Sequence, residues 1–351
     1  MLESSKYPLK SLYIYLSGSC NLACRHCWIE PSGEDKLSFP NFEDLKVAIS
    51  DARNLGLRGV KLTGGEPLMV PYFFQLIDWL AAEDVSFSLE TNGTLLNSEA
   101  VRKLKEAGVS RVSVSLDGPT AKDHDFFRGK EGAFEAARQG ILKASAENIK
   151  LEIVFSLWKK NLPLLRETVL LAREIGAVCF KINIISEYRR ASLMKEKGEL
   201  PEIKEILFLR DSARQVGQEA GIPVLLDLPP AFLLPSEVFA GGFCSIKNIL
   251  GITSKGDFSL CGIGELESES CFGNISERNI EEVWRESSLL KEVRERLPAS
   301  LEGICARCFY RDLCLGKCRA VSLAGSGDIY SPFPFCSQAF EEGLFPKNLV
   351  I

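Results

Sequence analysis

Histidine is nearly missing from this sequence: His26 and His124 are the only two in 351 residues. A His-rich zinc site is therefore poorly supplied. Long apolar runs are missing too, and no stretch approaches the roughly 18 apolar residues of a membrane-spanning helix. The opening MLESSKYPLK lacks the apolar core and small-residue cleavage site of a secretory signal. Positive charge is not in excess either. Lys and Arg number 42 against 47 Asp and Glu, a net charge of −5. Neither nucleic acid nor an anionic membrane surface is favoured as a partner. The expected setting is the cytoplasm, where thiols stay reduced.

What the sequence does have is cysteine, twelve in all. Reduced cysteines at tight spacings usually hold metal. Cys20, Cys24 and Cys27 share one short segment. Seven more, Cys244, Cys261, Cys305, Cys308, Cys314, Cys318 and Cys336, gather towards the other end, with Cys179 and Cys271 standing apart. Cys179 falls in a strand and reads as core.

Between the two groups the chain alternates. SLYIYL (11–16), GVKL (59–62), SFSLE (86–90), RVSVSL (111–116), KLEIVFSL (150–157) and VCFKINII (178–185) read as strands. Helical periodicity fills 41–55, 71–82, 98–108, 131–146 and 162–175, with Ser98 a candidate N-cap and Gly108 at that helix's end. Alternation of this kind predicts an α/β fold with a parallel sheet and right-handed crossovers, either open or barrel-like. Beyond residue 186 it stops. A helix is expected over 202–220, a further strand at 222–228, a proline-rich linker at 228–235, and a hairpin in GITSKGDFSLC. So short a Cys-rich region needs metal to fold.

The first strand runs directly into SGSCNLACRHCW, a C-x3-C-x2-C loop. Three thiolates on one loop suit three irons of a cubane cluster and leave the fourth without a protein ligand. Zinc is the competing reading and is short of a fourth ligand. The loop resembles the signature of radical S-adenosylmethionine (SAM) enzymes. That resemblance implies a partial, six-stranded β/α barrel of the TIM type and a 4Fe–4S cluster whose open iron is chelated by the methionine part of SAM. It also implies one-electron cleavage to a 5′-deoxyadenosyl radical, with an electron donor such as flavodoxin or ferredoxin as partner. Further motifs follow successive strands, where a β/α barrel places its active site. Gly64, Gly65 and Glu66 in TGGEP resemble the family's motif for the SAM ammonium, with Glu66 as acceptor. By resemblance, Ser115 and Arg128 would meet the SAM carboxylate, Asn92 would line the site, and His26 would pack near the adenine. Asp117 lies in the adjoining SLDGP with no assigned role.

The distal cysteines, with FGNI and SGDIYSPFPFC around them, resemble the SPASM extension of the same enzymes. The implied division is a radical SAM barrel over 1–200, a bridging helix, strand and linker over 201–240, and a SPASM domain over 241–351. The implied cofactors are SAM and three 4Fe–4S clusters. Cys305, Cys308, Cys314 and Cys336 would hold one auxiliary cluster, and Cys244, Cys261 and Cys318 the other. That second set either keeps an open iron, the preferred expectation, or recruits Cys271. The expected activity is modification of a peptide or protein substrate. The alternative is a small-molecule enzyme such as one processing porphyrin side chains in haem synthesis. Sulfatase maturation is disfavoured, because Gly262 stands where those enzymes carry Asp. A mere electron carrier would not need the SAM motifs.

Overall fold

Alternation along each strand decides the architecture. In GVKLT, Val60 and Leu62 are buried against helices, while Lys61 and Thr63 turn to the other face. The same division recurs in LEIVFSL and CFKINI, whose Ile153, Phe155, Phe180 and Ile182 are fully buried. Each such apolar side chain contributes about 1.5–3 kcal/mol when removed from water. The computed structural model describes residues 6–29, 38–239, 245–262 and 270–351. Cys244 lies outside these residues.

Seven strands run parallel in sequence order: β1 (Ser11–Tyr15), β2 (Gly59–Thr63), β3 (Phe87–Thr91), β4 (Arg111–Ser115), β5 (Leu151–Leu157), β6 (Cys179–Ile184) and β7 (Val224–Leu226). Helices α1 (Phe42–Asn54), α2 (Phe73–Ala82) and α3 (Ser98–Glu106) follow β1, β2 and β3. After β4 come α4 (Ala121–Arg128) and α5 (Ala133–Ala146). After β5 comes α6 (Leu165–Glu174), and after β6 come α7 (Arg190–Glu196) and α8 (Ile203–Ala220). The six expected strands are all present. The chain then passes through α9 (Pro235–Val238) to β8 (Ile249–Ile252), which pairs in parallel with β1, Leu12 opposite Leu250. β9 (Asp257–Ser259) and β10 (Cys271–Asn274) extend that side antiparallel. The sheet is an open strip with β7 and β10 at its edges, which makes the barrel partial. Short helices complete the C-terminal part: α10 (Ile280–Glu286), α11 (Ser288–Arg296), α12 (Gly303–Ala306), α13 (Arg311–Cys314), α14 (Arg319–Ser326) and α15 (Pro334–Glu341).

Two local expectations are corrected, and one helix is added. The N-cap of α3 is Asn97, whose side chain accepts from the Ala100 amide, so Ser98 is the first helical residue. The proline-rich 228–235 segment is no loose connection, because Leu228, Ala231 and Phe232 are buried, Phe232 edge-on to Phe335 and Phe345. Helix α4, which has only eight residues, gave too short a periodic signal to be read from the sequence. No helix among the described residues is long and apolar enough to cross a membrane.

Candidate active site

The loop after β1 is clamped from two sides. On one side the loop after β2 crosses it closely, the Gly65 amide donating to Ser17 O at 2.6 Å and the Glu66 amide to Ser19 O at 2.9 Å. A Cβ on Gly65 would lie 2.0 Å from Ser19 O, so only glycine permits the crossing. On the other side the end of α4 grips the loop. Ala23 N donates to Arg128 O at 3.1 Å and Arg25 N to Phe127 O at 3.0 Å, while Arg190 Nη1 donates to Cys24 O at 3.0 Å. Between the clamps Cys20, Cys24 and Cys27 face one open cavity. Gly64, Gly65, Asn92, Ser115, Arg128 and His26 line the same cavity.

Each of these side chains has a defined setting. Arg128 is buried, its Nε donating to Asp117 Oδ2 at 2.5 Å and its Nη1 to Cys24 Sγ at 3.6 Å. Burial alone would lower the Arg128 pKa, but the Asp117 carboxylate raises it, so the guanidinium stays charged. Among the described residues its Nη2 has no hydrogen-bond acceptor, and Arg128 lines the cavity. Asn92 Nδ2 donates to Asn21 Oδ1 at 2.8 Å and approaches Cys20 Sγ at 3.7 Å. His26 stacks on Phe127 with centroids 4.5 Å apart and planes 6° apart. Burial, aided by Arg128, pushes His26 down to about 3, so the ring is neutral. Its Nδ1 and the Asn183 Oδ1 are buried, line the cavity and have no partner.

Glu66 sits elsewhere than expected. Its side chain is fully buried beneath the cavity and accepts from Thr91 Oγ1 at 2.7 Å, Asn92 N at 2.8 Å and Leu68 N at 3.2 Å. It ties the loops after β2 and β3 together, and Gly64 and Gly65 form the wall above it.

The cysteines fit an iron–sulfur cluster by their chemistry. Burial pushes the Cys20 thiol up to about 11 and raises Cys27 as well. Buried thiols become thiolates when a cation supplies the compensating charge. A second convergence lies in the C-terminal part. Cys305, Cys308, Cys314 and Cys336 line one small cavity with Pro229, Pro230 and Tyr310. Backbone amides of Phe333, Tyr310 and Lys317 donate to Cys305, Cys308 and Cys314 Sγ at 3.4, 3.4 and 3.1 Å. Amide–sulfur bonds of this type tune cluster potentials. Buried Arg319 ties the surrounding loops through Gly316, Ile329 and Ser331 carbonyls. Of the remaining cysteines, Cys261 follows β9, Cys318 caps α14, and Cys271 stands in β10 opposite Ser259.

Residues 14–158 match the family model of the radical SAM superfamily, and residues 244–309 match the iron–sulfur cluster-binding SPASM domain. An AdoMet-dependent heme synthase of Methanosarcina barkeri is 30% identical over 92% of this chain and 94% of its own. The chain belongs to the radical SAM superfamily and carries a C-terminal SPASM domain. The mycofactocin maturase MftC of Mycobacterium tuberculosis is 28% identical over 93% of this chain and 82% of its own. The crystal structure of Streptococcus suis SuiB bound to precursor peptide SuiA superposes with a TM-score of 0.74 at 19% identity, over 94% of this chain and 76% of that one, a likeness of fold.

In this radical SAM enzyme the sequence reading missed the supports. Asp117, His124, Asn161 and Ser156 hold one another and Arg128: the Asp117 amide donates to His124 Nδ1 at 3.1 Å, the Ser156 amide to Asp117 Oδ1 at 2.8 Å, and Asn161 Nδ2 to Asp117 O at 3.1 Å. Arg190 and Asn183 in the cavity wall were missed as well. Asn183 lies at the end of strand six, read only as a strand, and Arg190 opens α7, a helix not expected from the sequence. Gly262 is sterically required: a Cβ there would lie 1.8 Å from the Tyr15 hydroxyl and 2.8 Å from Trp28. No carboxylate base fits that position without displacing both rings.

Proposed function

We propose that this radical SAM/SPASM enzyme abstracts a hydrogen atom from a carboxylate-bearing side chain of a tetrapyrrole, in place of the peptide substrate expected first. The observation that carries this reading is the 30% identity to an AdoMet-dependent heme synthase across nearly the full length of both chains. The polar lumen of the partial barrel supports it. Asn183 on β6 and Arg190 on α7 line the cavity, and the Arg190 guanidinium is suited to a substrate carboxylate.

In this reading Cys20, Cys24 and Cys27 would hold the SAM-binding cluster, which would supply one-electron reduction of SAM. The Nη2 of Arg128 and the Ser115 hydroxyl bind the SAM carboxylate, and the Gly64–Gly65 backbone meets its ammonium. Asn92 lines the site and positions the loop after β1. His26, neutral and held flat by Phe127, offers a face to the adenine, while its Nδ1 and Asn183 Oδ1 await polar partners. Cys305, Cys308, Cys314 and Cys336 hold one auxiliary cluster. Cys261 and Cys318, with Cys244, hold a second that keeps an open iron or takes Cys271. Clusters held by these cysteines would supply one-electron acceptor chemistry beside the barrel.

The test is anaerobic incubation of reconstituted enzyme with SAM, a reductant and an iron porphyrin bearing propionate side chains. Porphyrin-dependent 5′-deoxyadenosine and loss of side-chain carboxyl groups are expected. Without either, the tetrapyrrole reading fails. A second reading, peptide maturation, is favoured by the 28% identity to mycofactocin maturase. Its signature is the loss of two hydrogens from a precursor peptide under the same conditions.

A further inference from the structure

Four rings run in a stack from the surface to the cysteine loop. Phe126, on α4, is 49% exposed and stacks on buried Trp158 with centroids 6.0 Å apart and planes 18° apart. Trp158 stacks on fully buried Phe127 at 5.2 Å and 25°. Phe127 stacks on His26 at 4.5 Å and 6°. His26 lies between Cys24 and Cys27 on the loop itself. The inner end of the stack lines the SAM cavity. The outer end, Phe126 and Trp158, lines a separate pocket of about 590 Å³ with Lys122, Asp123, Lys160, Asn161 and Leu164.

That outer pocket is cationic. Lys160 Nζ lies 4.9 Å from the Phe126 centroid and 5.4 Å from that of Trp158. The Arg25 guanidinium lies 4.8 Å from Phe126 and 5.8 Å from Trp158. Arg25 is already paired with Glu199 at 2.6 Å, and Asp123 accepts from Thr120 Oγ1. Among the described residues Lys122 and Lys160 have no carboxylate within ion-pair distance, so the pocket lining carries two lysines against the one carboxylate of Asp123. Cations set over aromatic faces make a surface that attracts anions while keeping a flat apolar contact.

We propose that this pocket is the docking site of an acidic redox protein that reduces the Cys20–Cys24–Cys27 cluster, with the Phe126–Trp158–Phe127–His26 stack leading inward. The inference rests on the reading that this loop holds a cluster requiring one electron. The step is a single electron transfer: the donor's cofactor, a flavin or a small iron–sulfur centre, is oxidised by one electron, the cluster gains it, and no bond forms or breaks. Entry here leaves the SAM and substrate cavity clear. Electron-transfer encounters bury little surface, under about 1,200 Å², so a patch of this size is sufficient.

The experiment compares the reconstituted full chain with its Lys122→Glu/Lys160→Glu double variant. The donor is chemically reduced flavodoxin of acidic net charge, and reduced methyl viologen, a small cation, is the control. Two readouts are used, neither involving substrate: the rate at which the reduced cluster's EPR signal appears, and the dissociation constant for flavodoxin. At low salt the double variant is expected to be reduced by flavodoxin at least about tenfold more slowly, with the deficit shrinking as ionic strength rises. Reduction by methyl viologen is expected not to slow. Phe126→Ala, which removes the outermost ring and its apolar contact, is expected to slow flavodoxin reduction and weaken flavodoxin binding, with methyl viologen reduction unchanged. Equal flavodoxin rates in wild type and double variant overturn the proposal, as does an equal loss with both reductants. If methyl viologen produces no cluster signal in the wild type, the cluster reading fails and takes the docking proposal with it. A wrong substrate class affects neither readout.

Discussion

Asp117 Oδ2 lies 2.5 Å from Arg128 Nε in a fully buried pair, and that pair fixes the guanidinium beside Cys24. Burial alone would raise the Asp117 carboxyl, but Arg128 holds it below the usual carboxylate range. The depressed value makes the pair's contribution complete above about pH 4 and lost as the pH falls through the folded value.

Asp117→Ala leaves a buried guanidinium without its counter-charge, a loss of about 3–5 kcal/mol for such pairs. Denaturant unfolding is expected to show a loss of that size. Asp117→Asn retains the shape, and its expected signature is SAM affinity at least about tenfold weaker, measured by equilibrium binding to the reconstituted enzyme. Unchanged affinity in Asp117→Asn would mean that Arg128 is oriented without it.

Glu66 gives a pH dependence of the opposite sign. Burial pushes its carboxyl up to about 6 from the ordinary 4.5, against the pull of three hydrogen bonds. The folded carboxyl therefore ionises less readily than the unfolded one. Its contribution is most favourable below the ordinary value and falls as the pH rises through about 6, by about 2 kcal/mol in total. Lowering the pH from 7 to 5 is expected to raise the melting temperature of the wild type relative to Glu66→Gln, both without SAM. Parallel pH profiles for the two proteins would refute the assignment.

Gly65→Ala tests the loop crossing. The added methyl meets backbone at Ser19 O, which no rotamer change relieves. The expected result is destabilisation of about 1–3 kcal/mol together with loss of iron from the Cys20–Cys24–Cys27 site. Wild-type iron content and stability would show that the loop yields easily.

Iron and acid-labile sulfide should approach about twelve of each per chain if three cubane clusters are present. Replacing Cys305 and Cys336 together by Ala is expected to remove about four irons and leave the SAM-binding cluster's EPR signal. A wild-type value near four would mean that the C-terminal cysteines hold no cluster.

Much of this was legible in the sequence because its physics is local. Strand alternation marked β1 to β6 within about a residue of their ends. Cluster ligands must come close together, so the C-x3-C-x2-C loop and the Cys305, Cys308 and Cys314 spacing are written into a few consecutive residues. Cys336 joins them only through the packing of α15, which brings it to the same cavity. What escaped is long-range. Asp117 received no role from the sequence because its partners, Arg128, Ser156 and Asn161, come from three different segments. Glu66 looked like a ligand-facing carboxylate because a sequence does not tell wall from floor. Asn183 acquires meaning only once β6 stands beside the cavity, and Arg190 only once α7 does. The ring stack from Phe126 to His26 joins residues 26, 126, 127 and 158, and no periodicity links them.

β8 belongs to the C-terminal part by sequence, yet it is hydrogen-bonded to β1, the strand that carries the first cysteine loop. Severing the polypeptide between β7 and β8 would not release a self-sufficient barrel. It would strip one flank from β1 and leave its amides and carbonyls open to any passing strand, a known route to aggregation. The cofactor-bearing halves thus share a seam, and the N-terminal half should express well only when the C-terminal half is supplied with it.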